Sequence, residues 1–545
     1  MKKIYLFLLA IASGLILSAG WPMNGFPFLL FAGFVPLLFI EDNINRFRES
    51  FNKFSVFTYA YLAFFIWNVL TTWWIWNSTI FGAIMAVILN SLFMALVFSL
   101  FHWSKRGFVN RQNANYLFVL YWISFEFLHL DWDLSWPWLN LGNAFGMYPK
   151  WVQWYEFTGA LGGSLWILIL NVLIFDLIKT LLNHQKSVRK IAFSSLPILV
   201  FIIAPMMFSS SLYRNYDEKP NPVEVVVTQP NVNPWNEQFV LPARDVINRN
   251  LVIADSLVTP ETVFVICPES AIQEDIWHHS INKSPSILLI RQFMKKYPNM
   301  NFVIGASTFR LFSDEEKITS TARKFSDVDK YYDAFNSALF INKNEEIGLY
   351  HKSKLVPGPE KMPFQRLLRP LQNFAFDLGG TVGSLGMSAE REVFSSVDSL
   401  FKVPAIICYE SIYGEFCSGF VKNGANLLFI ITNDGWWGNT AGHRQHFAFA
   451  PLLSIETRRS LARSANTGIS GFINQRGDII QQTGYWVPAG IKASLNANDK
   501  ITFYVKYGDF IGRIFAFLSG LFILISITSA ITNRKKLKLI KSPEV

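Results

Sequence analysis

The chain has 545 residues, 51% of them hydrophobic and only 16% charged, with 51 Phe and 18 Trp, and a mean hydropathy of +0.26 at this length excludes an ordinary soluble globular protein. The formal net charge of +10 would in a soluble chain raise nucleic acid as a partner, so the placement of the lysines and arginines has to decide between that and membrane topology. Three cysteines cannot build a disulfide framework, and no Cys-x-x-Cys or His-rich spacing points to zinc.

Apolar runs predict membrane helices near Ile4–Ala19, Pro27–Ile40, Phe54–Trp76, Phe81–Phe101, Tyr116–Leu130, Gly163–Leu177, Ile191–Phe208 and, far downstream, Phe510–Thr532. The second and fifth fall short of the ~20 residues a straight span needs, which predicts polar ends or a place inside the bundle. With eight spans, Lys2 and Lys3, then Arg46, Arg48 and Lys53, then Lys105, Arg106 and Arg111, then Lys179, Lys186, Arg189 and Lys190, and finally Arg534, Lys535, Lys536, Lys538 and Lys541 all fall on one side. The opposite loops carry almost none, Lys150 being the exception before the seventh span. The positive-inside rule then makes both termini cytoplasmic and the region after the seventh span extracytoplasmic. The basic charge is accounted for by topology, and no nucleic-acid partner is expected. The first run, with its Lys-Lys start, has the layout of a signal peptide, but removing it would invert every later loop, so it is expected to stay.

After Tyr213 the texture changes. "YRNYDEKPNP" is a polar, Pro-broken linker, and beyond it apolar residues come in strand-length bursts: "VEVVVTQP", "TVFVICPE", "NFVIGAST", "FNSALFIN", "VPAIICYE", "ANLLFIIT" and "ISGFINQ". Helical patterns lie between them, "ARDVINRNLVIADSLV", "SILLIRQFMKKY" and the long "HRQHFAFAPLLSIETRRSLARSA". Continuous apolar strands alternating with helices predict an α/β domain with covered sheets. The expected organisation is a membrane domain over 1–212, an extracytoplasmic domain over 213–506, and an eighth span with a basic tail over 507–545.

Three strand-like runs end in reactive side chains: "VFVICPES" in Glu269, "EEIGLYHKSKLVP" in Lys352 and Lys354, and "AIICYES" in Cys408. Together they have a chemical logic. The carboxylate can take the thiol proton, while an ammonium nearby favours a thiolate and can hold an oxyanion. Singly each is weak, since a cysteine on an apolar run is more often inert core, and a Cys267–Cys408 disulfide is open to an extracytoplasmic domain.

The order "ICPES", "YHKSKLVPGPE", "ICYESIYGEF", "NDGWWG" resembles the Glu-Lys-Cys triad of the nitrilase (carbon-nitrogen hydrolase) superfamily. With seven spans before it and one after, and with "SWPWLNLG", "TQPNV", "RSANTGISGFINQRG" and "YGD" in place, the chain resembles the apolipoprotein N-acyltransferase family over nearly its whole length. That resemblance implies a polytopic α-helical membrane bundle of eight spans carrying an extracytoplasmic nitrilase-like αββα sandwich in a bacterial inner membrane. It assigns Glu269 as general base, Lys352 as the triad lysine and Cys408 as nucleophile, with Trp235, Glu360, Tyr409, Glu410 and Trp436 as substrate-binding or supporting residues. Pro-Gly-Pro in "LVPGPE" departs from the family pattern and bears on where Glu360 sits. Cys267 and Cys417 are expected to pack.

The implied reaction moves an acyl chain from a phospholipid, through a Cys408 thioester, to the N-terminal amine of a diacylated apolipoprotein, with no cofactor, no metal and a monomeric enzyme. A membrane-tethered amidase and a non-catalytic lipoprotein-binding protein are the alternatives. Glu126, inside a predicted span, is either functional or a structural polar contact. Asn90 and Asn171 read as helix–helix hydrogen bonds, and His443 and His446 as helix-start or site-edge residues, two histidines being too few for metal. The tryptophan-rich segments suit either an interfacial mouth or a plain aromatic belt.

Overall fold

In the computed structural model, residues 1–23, 25–105, 113–182, 188–364 and 384–541 are described; Arg106, Arg111 and Lys186 of the basic loops lie outside them. The first part is helical: α1 Lys3–Ala19, α2 Leu30–Gly33, α3 Val35–Arg46, α4 Ser55–Thr72, α5 Ile80–Lys105, α6 Tyr116–Leu128, the single turn α7 Tyr155–Thr158, α8 Ala160–Leu182 and α9 Val188–Asn215. Among the described residues six helical segments are long and apolar enough to cross a membrane: Pro27–Arg46, Ser55–Asn77, Ile80–Lys105, Ala160–Leu182, Ile191–Asn215 and Phe510–Thr532. α1 and α6 are apolar but shorter, at 17 and 13 residues.

The second run continues past Ile40 to Arg46, with both a polar end and a buried place in the bundle. Glu41 is fully buried there, bonded to His102 Nδ1 at 2.8 Å and Lys105 Nζ at 2.6 Å. The run breaks at Phe34, before Pro36, and Asn171 of α8 repairs the break: its Oδ1 accepts from Phe34 N–H at 2.8 Å and its Nδ2 donates to the Leu30 carbonyl at 2.7 Å. A second repair serves α9, where Pro205 has no N–H for the Phe201 carbonyl and the Trp166 indole donates to that carbonyl instead. Asn90 ties α5 to the end of α6 through His129 Nε2 at 3.0 Å. Glu126 accepts from Trp122 Nε1 and from the Leu141 backbone, both at 3.0 Å, so the structure gives it a polar contact at the end of the bundle.

The rest is a layered α/β unit: β1 Pro222–Gln229, α10 Ala243–Asp255, β2 Thr262–Ile266, β3 Ile272–Trp277, α11 Pro285–Met294, β4 Asn301–Leu311, β5 Arg323–Lys324, β6 Tyr331–Ile341, β7 Gly348–His351, β8 Phe394–Ser395, β9 Lys402–Val403, β10 Ala405–Ile407, α12 Gly414–Lys422, β11 Leu428–Thr432, α13 Ala441–Thr457, β12 Leu461–Ala465, β13 Gly471–Ile473, β14 Ile479–Gln482, β15 Ala489–Asn496, α14 Phe503–Tyr507 and α15 Phe510–Lys541. One sheet runs β15-β1-β2-β4-β6-β5, with β3 on β4 and β7 on β6; the other runs β10-β11-β12-β13-β14.

Alternation along the strands sorts side chains to two faces. Val225, Val227, Phe264 and Ile266 share a buried cluster with Ile406, Phe429 and Ile431 of the second sheet, whereas Val226, Val265 and Ile304 pack with Ile247 of α10 and Ile290 of α11. Phe420 of α12 and Leu453 of α13 belong to the first of these clusters, so helices cover both sheets and continuous apolar strands follow.

One expectation fails. The helical pattern over 443–465 does not run through: α13 stops at Thr457, Arg458 takes the left-handed conformation at φ +50°, and 461–465 form β12. Propensity alone would continue the helix, but Arg458 is held inside by Glu156 at 2.7 Å and by Gln153 and Gln475, contacts that no local pattern carries.

The α/β unit sits on the bundle ends opposite the basic loops. Asn77 bonds the Trp437 carbonyl at 2.8 Å, Tyr213 bonds Asp478 at 2.6 Å, and the 129–159 connection lies directly beneath α13. Gly146 of that connection is needed as glycine, since a Cβ there would lie 2.2 Å from the Ala448 carbonyl oxygen.

Candidate active site

Glu269, Lys352 and Cys408 each follow a strand end, after β2, β7 and β10, and meet where the two sheets end together. Lys352 Nζ lies 3.3 Å from Glu269 Oε1 and 2.8 Å from Glu360 Oε1, and its side chain is 1% exposed. Asn336 of β6 donates to both carboxylates, at 2.8 Å to Glu269 and 3.1 Å to Glu360, and its carbonyl accepts from the Lys352 N–H at 2.8 Å. Glu269 Oε2 accepts from the Asn433 N–H at 3.0 Å, just past β11. The Pro-Gly-Pro departure leaves Glu360 beside the lysine: Gly358 takes φ +95°, the turn closes through Glu360 N–H on the Val356 carbonyl, and Glu360 Oε2 accepts from Val356 N–H at 2.8 Å.

Cys408 turns the chain from β10 into a 3-10 helix, Cys408–Ile412, with φ +51°. For a residue with a Cβ that conformation costs ~1–3 kcal/mol and needs outside support. Glu410 supplies part of it, with Oε2 accepting from Ile407 N–H at 2.8 Å and Oε1 from Tyr350 Oη at 2.7 Å and Ser353 N–H at 2.6 Å. One buried carboxylate therefore joins the cysteine turn to the lysine turn. Tyr409 points toward the bundle, its hydroxyl donating to the Ser135 carbonyl at 2.9 Å.

Burial alone would lower the Lys352 pKa; Glu269, then Glu360 and Cys408, reverse that and hold the ammonium well above its ordinary value. Burial also dominates at Cys408, and with the Glu269 charge it pushes the thiol up, against the opposing pull of Lys352. The expected help from the ammonium is present but outweighed, so the resting sulfur is a thiol. Burial raises Glu410 to about 7, with Tyr350 and the Ile407 and Ser353 N–H groups working the other way.

Trp235 and Trp436 meet edge to face at 5.0 Å on the open side, where Trp235 is 54% exposed beside exposed Phe239 and Val240. Their loop is tied to the site through Gln238, which accepts from Asn433 Nδ2 at 2.7 Å. The other tryptophans divide. Trp74, Trp138 and Trp437 pack together between bundle and site, while Trp73 and Trp76 face outward. Cys267 and Cys417 are buried and free, as is Cys408, so no Cys267–Cys408 disulfide is present.

Asn336, Ser411, Asp434 and Arg463 were not singled out in the sequence, where a lone polar residue on an apolar strand or turn gives no signal. His446, expected at a site edge, lies against the Cys408 carbonyl at 3.2 Å; His443 stacks on Tyr485. Cys408, Asp434 and His446 offer three ligand atoms within 4.8 Å of one another. Asp434 is already engaged by the Arg463 guanidinium at 2.8 Å and by His446 at 2.9 Å, so protein groups occupy the donor set.

The described site has counterparts in known families. The apolipoprotein N-acyltransferase N-terminal domain family matches residues 13–173, and the carbon-nitrogen hydrolase family matches residues 247–499. Curated relatives named apolipoprotein N-acyltransferase include one from Chlorobaculum tepidum, 28% identical over 95% of this chain and 96% of its own. Those from Geobacter metallireducens and Thermotoga maritima are each 25% identical, covering 92% and 95% of this chain and 92% of each relative.

Proposed function

The chain belongs to the apolipoprotein N-acyltransferases, a membrane-associated branch of the nitrilase superfamily, and from that premise we propose that Cys408, Glu269 and Lys352 carry an acyl chain from a phospholipid to the N-terminal amine of a diacylated apolipoprotein. The observation that carries the assignment is the junction of these three side chains, with Glu360, at strand ends facing the bundle.

In the first half-reaction Glu269 takes the Cys408 proton as the sulfur attacks the ester carbonyl carbon. The tetrahedral oxyanion is held by the Lys352 ammonium and the Tyr409 N–H, which begins the 3-10 turn without an intrahelical acceptor. The carbon–oxygen bond of the ester breaks, Glu269 returns its proton to the departing lysophospholipid oxygen, and a thioester remains. In the second, the apolipoprotein amine attacks, Glu269 accepts the amine proton, the carbon–sulfur bond breaks, and the proton returns to sulfur. Both substrates hold to lipid at about 0.8 kcal/mol per buried CH₂, which is why the site belongs at a bilayer surface.

The topological reading is eight spans, with a membrane domain over 1–212, a catalytic domain over 213–506 and a last span from 507. The domain would be periplasmic and both termini cytoplasmic, in the inner membrane. It is supported by the six long apolar helices, the two shorter ones, and the position of the α/β unit on the ends away from the basic loops. The same reading takes the enzyme as a monomer.

Mass spectrometry after incubation with phospholipid vesicles tests the chemistry: an acyl adduct on the Cys408 peptide, absent in Cys408→Ser and discharged by a diacylated peptide amine, is expected. Release of free fatty acid with no acylated peptide would replace transfer by hydrolysis.

A further inference from the structure

Behind Cys408 lies a buried polar chain that the mechanism above leaves unused. The Cys408 carbonyl accepts from Ser411 Oγ at 2.7 Å and faces His446 Nε2 at 3.2 Å. Ser411 Oγ and His446 Nε2 are 3.1 Å apart. On its other edge His446 Nδ1 lies 2.9 Å from Asp434 Oδ1 and 2.9 Å from an Arg463 nitrogen. Arg463 also donates to Asp434 Oδ2 at 2.8 Å, and Thr432 Oγ1 to Asp434 Oδ1 at 2.7 Å. The ring is 1% exposed, with Trp138 and Trp437 centroids at 5.8 and 5.6 Å.

We propose that His446 is a positioning residue which, with Ser411, clamps the Cys408 carbonyl so that the Tyr409 N–H stays aimed at the oxyanion. A trans peptide is planar, and its C=O and N–H point in opposite directions. The carbonyl of Cys408 and the N–H of Tyr409 belong to the same peptide unit. Two donors fixed on the carbonyl side therefore set the direction of the N–H on the far side. Cys408 sits at positive φ, a conformation that costs energy for a residue with a Cβ and persists only where its surroundings hold it, and donors on its carbonyl are part of that hold.

The role fixes one proton placement. A carbonyl only accepts, so the clamp requires a hydrogen on Nε2. Nδ1 then accepts from the Arg463 nitrogen 2.9 Å away; the tautomer with its hydrogen on Nδ1 would leave Nε2 an acceptor and give no clamp. Asp434 and Arg463 hold the ring, and Thr432 and Ser411 complete the carboxylate and the carbonyl.

The inference rests on the thioester reading, and two reactions of the same sulfur separate them. Alkylation by iodoacetamide needs the sulfur but forms no oxyanion; acylation by phospholipid needs both. Single-turnover acylation in His446→Ala is expected to fall about 10- to 100-fold, less than the 10²–10³ for loss of an oxyanion donor itself. Alkylation of Cys408 stays within about twofold, KM changes little, and His446→Gln, which can keep a donor near Nε2, recovers most of the rate. Ser411→Ala should reduce acylation in the same selective way, and the double variant should cost less than the product of the two. Acylation unchanged in His446→Ala, or alkylation and acylation falling together, would overturn the clamp. Absence of any thioester in the unmodified enzyme would instead remove the acyl-transfer reading on which it rests.

Discussion

Burial and the Glu269 carboxylate hold the Cys408 thiol far above the ordinary cysteine range of ~8.5, and Lys352 and the Thr432 hydroxyl offset them only in part. A preformed thiolate is thus not how this sulfur becomes nucleophilic. On the proposed mechanism the proton leaves as the carbon–sulfur bond forms, and the Glu269 carboxylate, bonded to Lys352 and to Asn336, would receive it. Iodoacetamide labelling of Cys408 is expected to be slow at about pH 7.5 and still rising at about pH 10, unlike activated cysteines that label fully near neutrality. A plateau below about pH 8 would contradict the protonated resting state. Glu269, Lys352 and Cys408 were legible as reactive types at the ends of apolar runs. Asn336 and Arg463 were not, because each acquires its meaning only from partners on other strands.

Among the elements, the turns after β7 and β10 depend on one carboxylate. Glu410→Ala would leave the buried Ile407 N–H and the half-buried Ser353 N–H without their acceptor, and the Tyr350 hydroxyl with only Ser353 Oγ at 3.2 Å, and each orphan costs about 1–3 kcal/mol. Glu410→Gln retains one acceptor oxygen and is expected to lose less. Thermal unfolding in detergent should rank unsubstituted protein above Gln above Ala; an Ala variant as stable as the Gln variant would contradict the shared support. The broken second segment was legible as too short to span straight, and the reason for its break was not. Asn171 supplies the repair from 137 residues away, a distance no local pattern reports. Likewise α13 ends because Arg458 is drawn into a buried site against Glu156 and Gln153, although the letters that follow would extend a helix.

At the scale of the whole molecule, the start of the last helix is tied to the rest through an acidic knot in which Glu456 and Asp509 are buried. Glu456 accepts from Ala160 N–H at 2.9 Å, Asp509 accepts from Tyr504 Oη at 2.8 Å, and the Asp509 N–H donates to Glu415 at 2.9 Å, with Arg513 on Glu415. Burial first, then the neighbouring acids, raise Glu456 to about 8 and Asp509 to about 7. A raised acid binds its proton more tightly when folded, so its stabilisation is complete below the unfolded value and is lost as pH climbs through the folded one. Melting temperature is therefore expected to fall between about pH 5 and pH 8.5. Glu456→Gln should flatten the upper part of that curve, and an unchanged slope would remove the knot as its source.

Hydropathy, loop charge and the alternation of strand-length and helix-length patterns determined by themselves that this chain combines apolar helices with an α/β unit, because periodicity is a local property of the letters, and the order of four short motifs added the resemblance to the nitrilase superfamily. Tertiary structure alone decided the protonated state of the sulfur, the placement of Glu360 despite its altered turn, and the clamp on the Cys408 carbonyl. Those depend on desolvation and on hydrogen bonds between residues far apart in the chain, and neither is written in any one segment.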